Sequence, residues 1–310
     1  MTALDAIATY LPGQRVSVDE LAGPLGLEPM ELKMFKRFQG FAEIRLDPGG
    51  TLLDLLLGAA AALEPLRGRE HQVKYVLHAR SMPAAVPYPL SPVHDLCRLL
   101  RLDNAIAFTV THQACATGLL AVDAAGRLLA ADPDPGALAL VLAGEKAFTR
   151  DAQLVPETSV FGEAAAACLV SADGPRDRLL SYATSTRGEF SGRLTDQPDL
   201  AQRYEQEYPL SLAATIRAAV DRAGLSLDDI SVILPHNVND VSWRRLARRL
   251  GFPIDAVVLD NVPVTGHAFC ADLFINYATA ARRGLLRAGD RYLIAAAGLG
   301  ATFSAMVLQH

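Results

Sequence analysis

The chain has 310 residues, of which 51% are hydrophobic and 20% charged, a composition typical of a compact globular protein with a large core and not of a disordered chain. Its formal net charge of −5 leaves no basic surplus to neutralise phosphates, which argues against a nucleic-acid binder. The four cysteines, at positions 97, 115, 168 and 270, show no C-x-x-C spacing, so neither a zinc ribbon nor a disulfide framework is indicated.

Secretion and membrane insertion are not indicated by the sequence. Met1 to Tyr10 lacks a basic region followed by an apolar run of signal-peptide length. The apolar run from Leu55 to Leu63 lies between two acidic residues and is too short to span a bilayer. We therefore expect a cytoplasmic protein in a reducing compartment, with no membrane partner.

The first half of the chain predicts helices and strands in alternation. The expected elements are a strand over Ala6 to Tyr10, a helix capped near Ser17, a helix from Pro29 to about Phe38, an extended segment from Gly40 to Arg45, a buried helix over Leu52 to Leu63, a strand over Val73 to His78, a helix over Val93 to Leu100, a strand over Ala105 to Val110, a helix from Cys115 to about Ala131, a strand over Ala137 to Ala143 and a strand from Phe161 to Val170.

The second half predicts the same order. The expected elements are a strand over Val232 to Leu234, a helix over Val241 to Leu250, a strand over Ala256 to Leu259, a helix to about Gly284, a strand over Tyr292 to Ala297 and a closing strand over Thr302 to Leu308. Nearly continuous apolar strands between helices predict an α/β protein whose sheet is covered on both faces.

Matching spacings indicate that one unit is duplicated. His78 and His236 are 158 residues apart, and Cys115 and His267 are 152 apart. The glycines that follow two equivalent strands, at 144 and 298, are 154 apart. We therefore predict two halves, residues 1–172 and 173–310. If the halves pack about a pseudo-twofold axis, equivalent loops meet there, and Cys115 faces His267 while His236 enters from a neighbouring loop.

Cys115 is the candidate nucleophile. It lies where the segment Thr111 to Gly118 passes from a strand into a long Ala/Leu helix, and the positive end of a helix dipole favours the thiolate form of a cysteine. A lone cysteine is often only a small buried hydrophobe. However, a thiol and two imidazoles brought together by the fold are what nucleophilic catalysis needs. Cys270, three residues after His267, is not assigned to a metal site because no further ligands cluster nearby.

Several ordered motifs resemble those of the thiolase-fold condensing enzymes, and most closely those of the beta-ketoacyl-ACP synthase III group. The motifs are Tyr10-Leu-Pro-Gly13, Gln113-Ala-Cys115-Ala, Phe161-Gly-Glu-Ala-Ala165, His236-Asn-Val-Asn239 and Gly298-Leu-Gly300-Ala-Thr302. The resemblance runs along nearly the whole chain. It implies a thiolase-like fold of duplicated βαβαβαββ halves in an α/β/α/β/α layering.

The sequence departs from the synthase III pattern in three places. Gly266-His267 stands where the group usually has Gly-Asn, and its Thr-Gly-His context looks like the second histidine of the elongating ketosynthases. Val241 replaces an arginine that usually clamps a coenzyme A nucleotide, and Leu299 replaces the middle glycine of the terminal turn. The resemblance therefore implies a catalytic set of Cys115, His236 and His267.

The mechanism implied by the resemblance is a decarboxylative Claisen condensation, in fatty acid, polyketide or other secondary metabolite biosynthesis. An acyl group is loaded on Cys115, the backbone N–H groups of Cys115 and of Leu299 or its neighbour Gly300 stabilise the oxyanion, and Asn239 supports the site. His236 and His267, both neutral, donate hydrogen bonds to the carbonyl of an incoming malonyl-type thioester. The sequence favours this reaction.

Two alternatives stay open. In the first, the protein is a synthase III-like acyltransferase that passes the acyl group to an alcohol or amine without decarboxylation, with His236 as the general base. In the second, the protein is a non-catalytic partner subunit of the same fold, although the retained cysteine and histidines argue against this.

The resemblance also implies partners. Substrates would be thioesters of coenzyme A or of the phosphopantetheine of an acyl carrier protein, with no separate cofactor and no metal. Arg244, Arg245, Arg248 and Arg249 follow His236 on one helix and are interpreted as a docking patch for the acidic carrier protein. A homodimer is expected, with the Met82 to Pro92 loop and its Tyr88 shaping the acyl pocket.

Overall fold

The computed structural model describes residues 1–83, 86, 89–191 and 197–310, so Tyr88 of the predicted pocket loop lies outside the described residues. The strands are β1 (Ala3–Tyr10), β2 (Gln14–Ser17), β3 (Glu43–Leu46), β4 (Val73–Ala79), β5 (Ile106–Val110), β6 (Leu138–Glu145), β7 (Leu154–Val155), β8 (Ser159–Val160), β9 (Ala164–Ser171), β10 (Arg178–Thr186), β11 (Ile230–Pro235), β12 (Arg291–Gly298) and β13 (Thr302–Gln309). The helices are α1 (Val18–Leu25), α2 (Pro29–Arg37), α3 (Leu52–Ala61), α4 (Pro92–Leu99), α5 (Thr117–Ala131), α6 (Arg150–Gln153), α7 (Pro198–Arg222), α8 (Asp240–Leu250), α9 (Val262–Thr265) and α10 (Asp272–Arg282).

Nine of the described strands form one mixed sheet in the order β11-β12-β13-β10-β1-β9-β6-β4-β5. In one half of the strand order, the first side of the sheet, β4 is parallel to β6 and β6 is antiparallel to β9. On the other side, β11 is parallel to β12 and β12 is antiparallel to β13, which is the same pattern. The predicted boundary at residue 172 falls between β9 and β10. That the two sides are copies of one unit stays a prediction.

Alternating side chains give the sheet two buried faces. In β12, Tyr292 and Ile294 lie in a core shared with α5 and α10, whereas Leu293 and Ala295 lie in a second core with α7 and α8. The first side of the sheet packs its outer face on α3 and α4. Helices α5 and α10 therefore lie between the two sides of the sheet, and the expected α/β/α/β/α layering is confirmed.

Local sequence signals fix several helix ends where they were predicted. Ser17 accepts a hydrogen bond from the backbone N–H of Glu20 at 3.2 Å while the Glu20 carboxylate accepts one from the backbone N–H of Ser17, so a capping box begins α1. Pro29 begins α2 at a position where its missing N–H costs nothing.

Other parts of the fold differ from the predictions. The strand predicted over Ala256 to Leu259 is wrong, since this segment holds a short 3₁₀ turn and a single bridge from Val257 to Ile233. Strand β10 and helix α7 were not predicted from the sequence. In α7 the interior Pro209 and a polar first half hide the helical pattern, and burial of residues such as Leu212 and Ile216 against the sheet stabilises the helix instead.

Among the described residues, one helical segment, Ala114–Ala131, is long and apolar enough to cross a membrane by length and composition. This segment contains the whole of α5. In the structure 56% of it is buried, and its side chains lie in the core between the two sides of the sheet. A core helix of a globular protein has the same composition.

Candidate active site

Cys115 lies in a tight turn between β5 and α5. Its neighbours His112 and Ala114 have φ angles of 76° and 45°, a backbone region that non-glycine residues rarely adopt. Gly118, in the first turn of α5, allows close packing, because a Cβ there would lie 3.3 Å from the carbonyl oxygen of Cys270. Cys115 is 8% exposed and lies at the meeting point of the two sides of the sheet.

His267 is the residue that contacts the thiol. Its Nε2 lies 3.1 Å from Cys115 Sγ, and its backbone N–H donates to the Val160 carbonyl at 2.9 Å. The preceding Gly266 has a φ of 62°, and a Cβ there would lie 2.7 Å from the carbonyl oxygen of Val160. Glycine is therefore required beside the histidine, and the sequence prediction that Cys115 faces His267 agrees with the geometry.

Asp272 completes a Cys–His–Asp arrangement that the sequence analysis missed. Its Oδ2 is hydrogen-bonded to His267 Nδ1, and the carboxylate is fully buried at the start of α10. It also accepts from the backbone N–H of Asn237 at 2.6 Å and from that of Ala268 at 2.7 Å. The available signal was an acidic residue five positions after His267 at the beginning of an apolar helix.

The charges of this arrangement set the protonation of His267. Burial by itself lowers the pKa of His267, but the negative charges of Cys115 and Asp272, together with its hydrogen bonds to both, raise that pKa to about 10. With this pKa His267 carries a proton at neutral pH, and its Nε2 is directed at Cys115 Sγ. The expectation that both histidines are neutral concerns the acylated enzyme, and for that state it stays a prediction.

His236 lies beside this arrangement but does not bond the thiol. Its ring centroid is 5.7 Å from that of His267, and its Nε2 is 3.1 Å from the hydroxyl of Tyr208 on α7. Burial and then the positive charge of His267 hold the pKa of His236 well below its usual value, so the ring is neutral. The two histidines therefore lie side by side, but only His267 is within hydrogen-bond distance of the Cys115 thiol.

The terminal turn approaches the Cys115 turn through a glycine. A Cβ on Gly298 would lie 2.0 Å from the carbonyl oxygen of Gln113, so only glycine allows this contact. The turn that follows, with Leu299 and Gly300, therefore lies near the nucleophile's turn, and the Leu299 side chain is 51% exposed. The oxyanion role of its backbone stays a prediction.

Asn239 has a different environment from the one expected. Its Oδ1 accepts from the backbone N–H of Ser242 at 2.7 Å and caps α8, while its Nδ2 donates to the carbonyl of Thr158 at 3.0 Å. Asn237 takes the position near the chemistry, since its side chain donates to Asp272 at 3.1 Å. Asn237 is thus the asparagine that contacts Asp272, and the supporting role of Asn239 stays a prediction.

Two side chains next to Cys115, the partly buried Ser81 and the buried Cys270, were not predicted to lie there. Ser81 Oγ lies 3.8 Å from Cys115 Sγ and 3.3 Å from Cys270 Sγ. The Cys270 thiol donates to the Ala114 carbonyl at 3.2 Å, which fixes the turn beside the nucleophile. Within the described ranges, no group of three or more His, Cys, Asp and Glu side chains is arranged to hold a metal ion.

The four arginines of the predicted docking patch are exposed along α8, opposite a buried stripe of Trp243, Leu246 and Leu250. Arg244 forms an ion pair with Asp240 at 2.9 Å. Arg217 of α7, also exposed, donates to the carbonyl of Arg249 at 3.1 Å and extends the same surface. The α8 arginine surface is therefore formed by these five residues.

Comparisons with known proteins agree with the fold. Residues 220–310 match the family model described as the C-terminal part of 3-oxoacyl-[acyl-carrier-protein] synthase III. The chain is 27% identical to the beta-ketoacyl-[acyl-carrier-protein] synthase III of Ruegeria pomeroyi, with 84% of each chain covered. It is 28% identical to the synthase of the same name from Sphingopyxis alaskensis, with 99% of this chain and 98% of that protein covered.

Solved structures show the same fold. The 3-oxoacyl-[acyl-carrier-protein] synthase III of Aquifex aeolicus matches with a TM-score of 0.84 at 21% identity, over 100% of both chains. ChlB3, described as an acyltransferase, matches with a TM-score of 0.87 at 19% identity, over 99% of this chain and 97% of that one. The sequence matches thus make the chain similar to beta-ketoacyl-[acyl-carrier-protein] synthase III proteins, and the solved structures show that it has their fold.

Proposed function

We propose that the protein is a thioester-dependent acyltransferase that loads an acyl group on Cys115 and passes it to a hydroxyl or amine without forming a carbon–carbon bond. The observation that carries this proposal is a hydrogen-bonded Cys115–His267–Asp272 arrangement. The His267 Nε2 lies 3.1 Å from Cys115 Sγ, and the buried Asp272 carboxylate is hydrogen-bonded to His267 Nδ1. A nucleophile, a proton carrier and a group that orients the carrier are the parts that acyl transfer requires.

Acylation uses the protonated form of His267. The Cys115 thiolate attacks the donor's carbonyl carbon, and the backbone N–H groups of Cys115 and Leu299 stabilise the oxyanion, at about 3 kcal/mol each. The tetrahedral intermediate then breaks its bond to the donor sulfur. His267 gives its proton to the leaving thiolate and becomes neutral.

Transfer uses the neutral form of His267. The imidazole takes the proton of the acceptor's hydroxyl or amine as that group attacks the acyl-Cys115 carbonyl. The bond to Cys115 Sγ breaks, and thiolate and imidazolium are restored. Asp272 holds the ring in one orientation through Nδ1 and stabilises its positive charge.

The donor is proposed to be an acyl thioester of coenzyme A or of an acyl carrier protein. Curated relatives carry the acyl carrier protein in their names, and the α8 arginine surface offers positive charge to an acidic carrier. A homodimer is proposed as well, because β5 is an exposed edge strand that a second copy of the chain can cover.

Decarboxylative condensation is the second candidate. The ring centroids of His236 and His267 are 5.7 Å apart beside the thiol, and the curated relatives are named synthases. Against it, His236 Nε2 is hydrogen-bonded to Tyr208, whereas condensation by two histidines needs both imidazoles free to donate to the thioester carbonyl.

Intact-protein mass spectrometry tests the proposal. The protein is incubated with acetyl-, butyryl- and benzoyl-coenzyme A, with Cys115→Ala as the matched control, and the acylated enzyme is then given ethanolamine, benzyl alcohol or malonyl carrier protein. We expect acylation that Cys115→Ala abolishes and discharge by the alcohol or amine. Discharge by malonyl carrier protein alone, with release of carbon dioxide, would replace transfer by condensation. Failure of every donor to acylate would favour a non-catalytic subunit.

A further inference from the structure

Tyr208 is a polar group beside the candidate site that the transfer steps do not use. It lies near the middle of α7, and its hydroxyl is 3.1 Å from His236 Nε2. Its ring packs edge-on against Tyr204, with centroids 5.9 Å apart, and against Phe303, also at 5.9 Å. These contacts hold the Tyr208 hydroxyl beside His236 Nε2.

His236 is fixed from its other sides too. Its backbone N–H donates to the carbonyl of Ala295 at 3.1 Å, and its own carbonyl accepts from Trp243 Nε1 at 2.8 Å. The Trp243 ring packs edge-on against the imidazole, with centroids 5.7 Å apart. Within the described residues His236 Nδ1 is buried without a hydrogen-bond partner. Among the described residues, the Tyr208 hydroxyl is therefore the only side-chain group that hydrogen-bonds the His236 ring.

Decarboxylation makes a specific demand on that ring. When a malonyl thioester loses carbon dioxide, the bond to the carboxylate breaks and its electron pair moves toward the thioester carbonyl, forming an enolate. A neutral imidazole stabilises the enolate oxygen by donating from Nε2. In this structure either Tyr208 donates to Nε2, which then carries no proton, or Nε2–H is already bonded to the phenol oxygen.

We propose that Tyr208 is a specificity-determining positioning residue that keeps His236 Nε2 from donating to a thioester carbonyl, and so suppresses decarboxylation in favour of acyl transfer. This inference rests on the proposed transferase function. The substrate class that Tyr208 selects against is malonyl-type thioesters, in which the enolate must be stabilised.

The variant Tyr208→Phe removes only the hydroxyl. Malonyl-coenzyme A is the probe for decarboxylation, measured by chromatography as acetyl-coenzyme A, which forms when the enolate takes a proton from water. Acylation of Cys115 by acetyl-coenzyme A is measured in the same preparation by intact mass. We expect the ratio of decarboxylation to acylation to rise about tenfold, the rate equivalent of one hydrogen bond to the enolate oxygen.

Tyr204→Phe is the matched control. Tyr204 lies one helical turn away, packs on Phe190 with ring centroids 5.4 Å apart and makes no hydrogen bond to His236. We expect this control to leave the ratio unchanged. An imidazole-nitrogen NMR measurement adds a second readout, since Tyr208→Phe, but not Tyr204→Phe, is expected to shift the His236 Nε2 resonance.

The inference about Tyr208 is overturned if the ratio stays constant or falls in Tyr208→Phe, or rises equally in both variants. The proposed function fails separately, when the wild-type protein itself condenses acyl-Cys115 with a malonyl thioester. A wild-type protein that transfers to an alcohol or amine, together with an unchanged ratio in Tyr208→Phe, removes the Tyr208 inference alone.

Discussion

At the scale of single residues, the chemistry depends on how a buried charge is compensated. Asp272 is completely buried, and such a carboxylate is tolerated only where hydrogen bonds and opposite charge surround it. Backbone N–H groups, the Asn237 amide and the protonated His267 supply that compensation. The result is an imidazole of fixed orientation against the Cys115 thiol.

Asp272→Asn tests this compensation. We expect acylation of Cys115 to slow by about 10²-fold or more, because the amide neither stabilises the imidazolium nor fixes its orientation as the carboxylate does. His267 keeps its proton up to a pKa of about 10, so wild-type activity falls at high pH as that proton is lost. Loss of the Asp272 charge lowers this pKa, and the alkaline limb moves toward neutrality.

The measurement is single-turnover acylation followed by intact mass from pH 6 upward. Asp260→Asn is the matched control, since Asp260 forms an exposed ion pair with Arg283 at 2.7 Å that contributes little. An alkaline limb at the same pH in Asp272→Asn and wild type would show that Asp272 does not act through His267.

At the scale of elements, α8 separates two tasks on its two faces. Its buried stripe packs in the core, and its first turn is capped by Asn239 just after His236. Its exposed face carries the arginines, and among the described residues no carboxylate pairs with Arg245, Arg248 or Arg249. This face can therefore meet a negatively charged partner without first breaking internal ion pairs.

Charge reversal on α8 tests carrier docking. For the double variant Arg245→Glu and Arg248→Glu we expect KM for an acyl-carrier-protein donor to rise about tenfold, with little change for the neutral acyl-N-acetylcysteamine thioester. Steady-state kinetics with both donors measure the difference. Arg98→Glu, on α4 at the opposite outer layer, is the matched control. An equal loss with both donors would point to damage at the active site instead of a docking surface.

At the scale of the whole molecule, the sheet is open at β5. This strand pairs with β4 alone among the described strands, whereas β11 at the other edge is partly covered by the bridge to Val257. Ile106 in β5 is 63% exposed, an apolar residue on an edge that offers unpaired backbone groups. A second copy of the chain would cover both.

Ile106→Lys tests the homodimer. We expect the wild-type chain to elute as a dimer in size-exclusion chromatography with light scattering, and the variant to shift toward monomer, because a charged edge residue opposes strand pairing. Leu99→Lys, an exposed apolar position at the end of α4 with 49% exposure, serves as the control. A monomeric wild-type chain at micromolar concentration would contradict the prediction.

The sequence by itself determined most of the strands and helices on which the site is built, the α/β class and the pairing of Cys115 with His267, since these follow from hydrophobic periodicity, capping residues and repeated spacing. It did not reveal α7, whose stability comes from burial of Leu212 and Ile216 and not from its own propensity. The tertiary structure alone placed Asp272 behind His267 and Tyr208 on His236, because a hydrogen bond between residues distant in sequence, or from a helix start to a loop, depends on packing. For the same reason Asn237 and not Asn239 contacts the buried carboxylate: a shift of two residues along the chain takes the side chain from Asp272 to the helix cap.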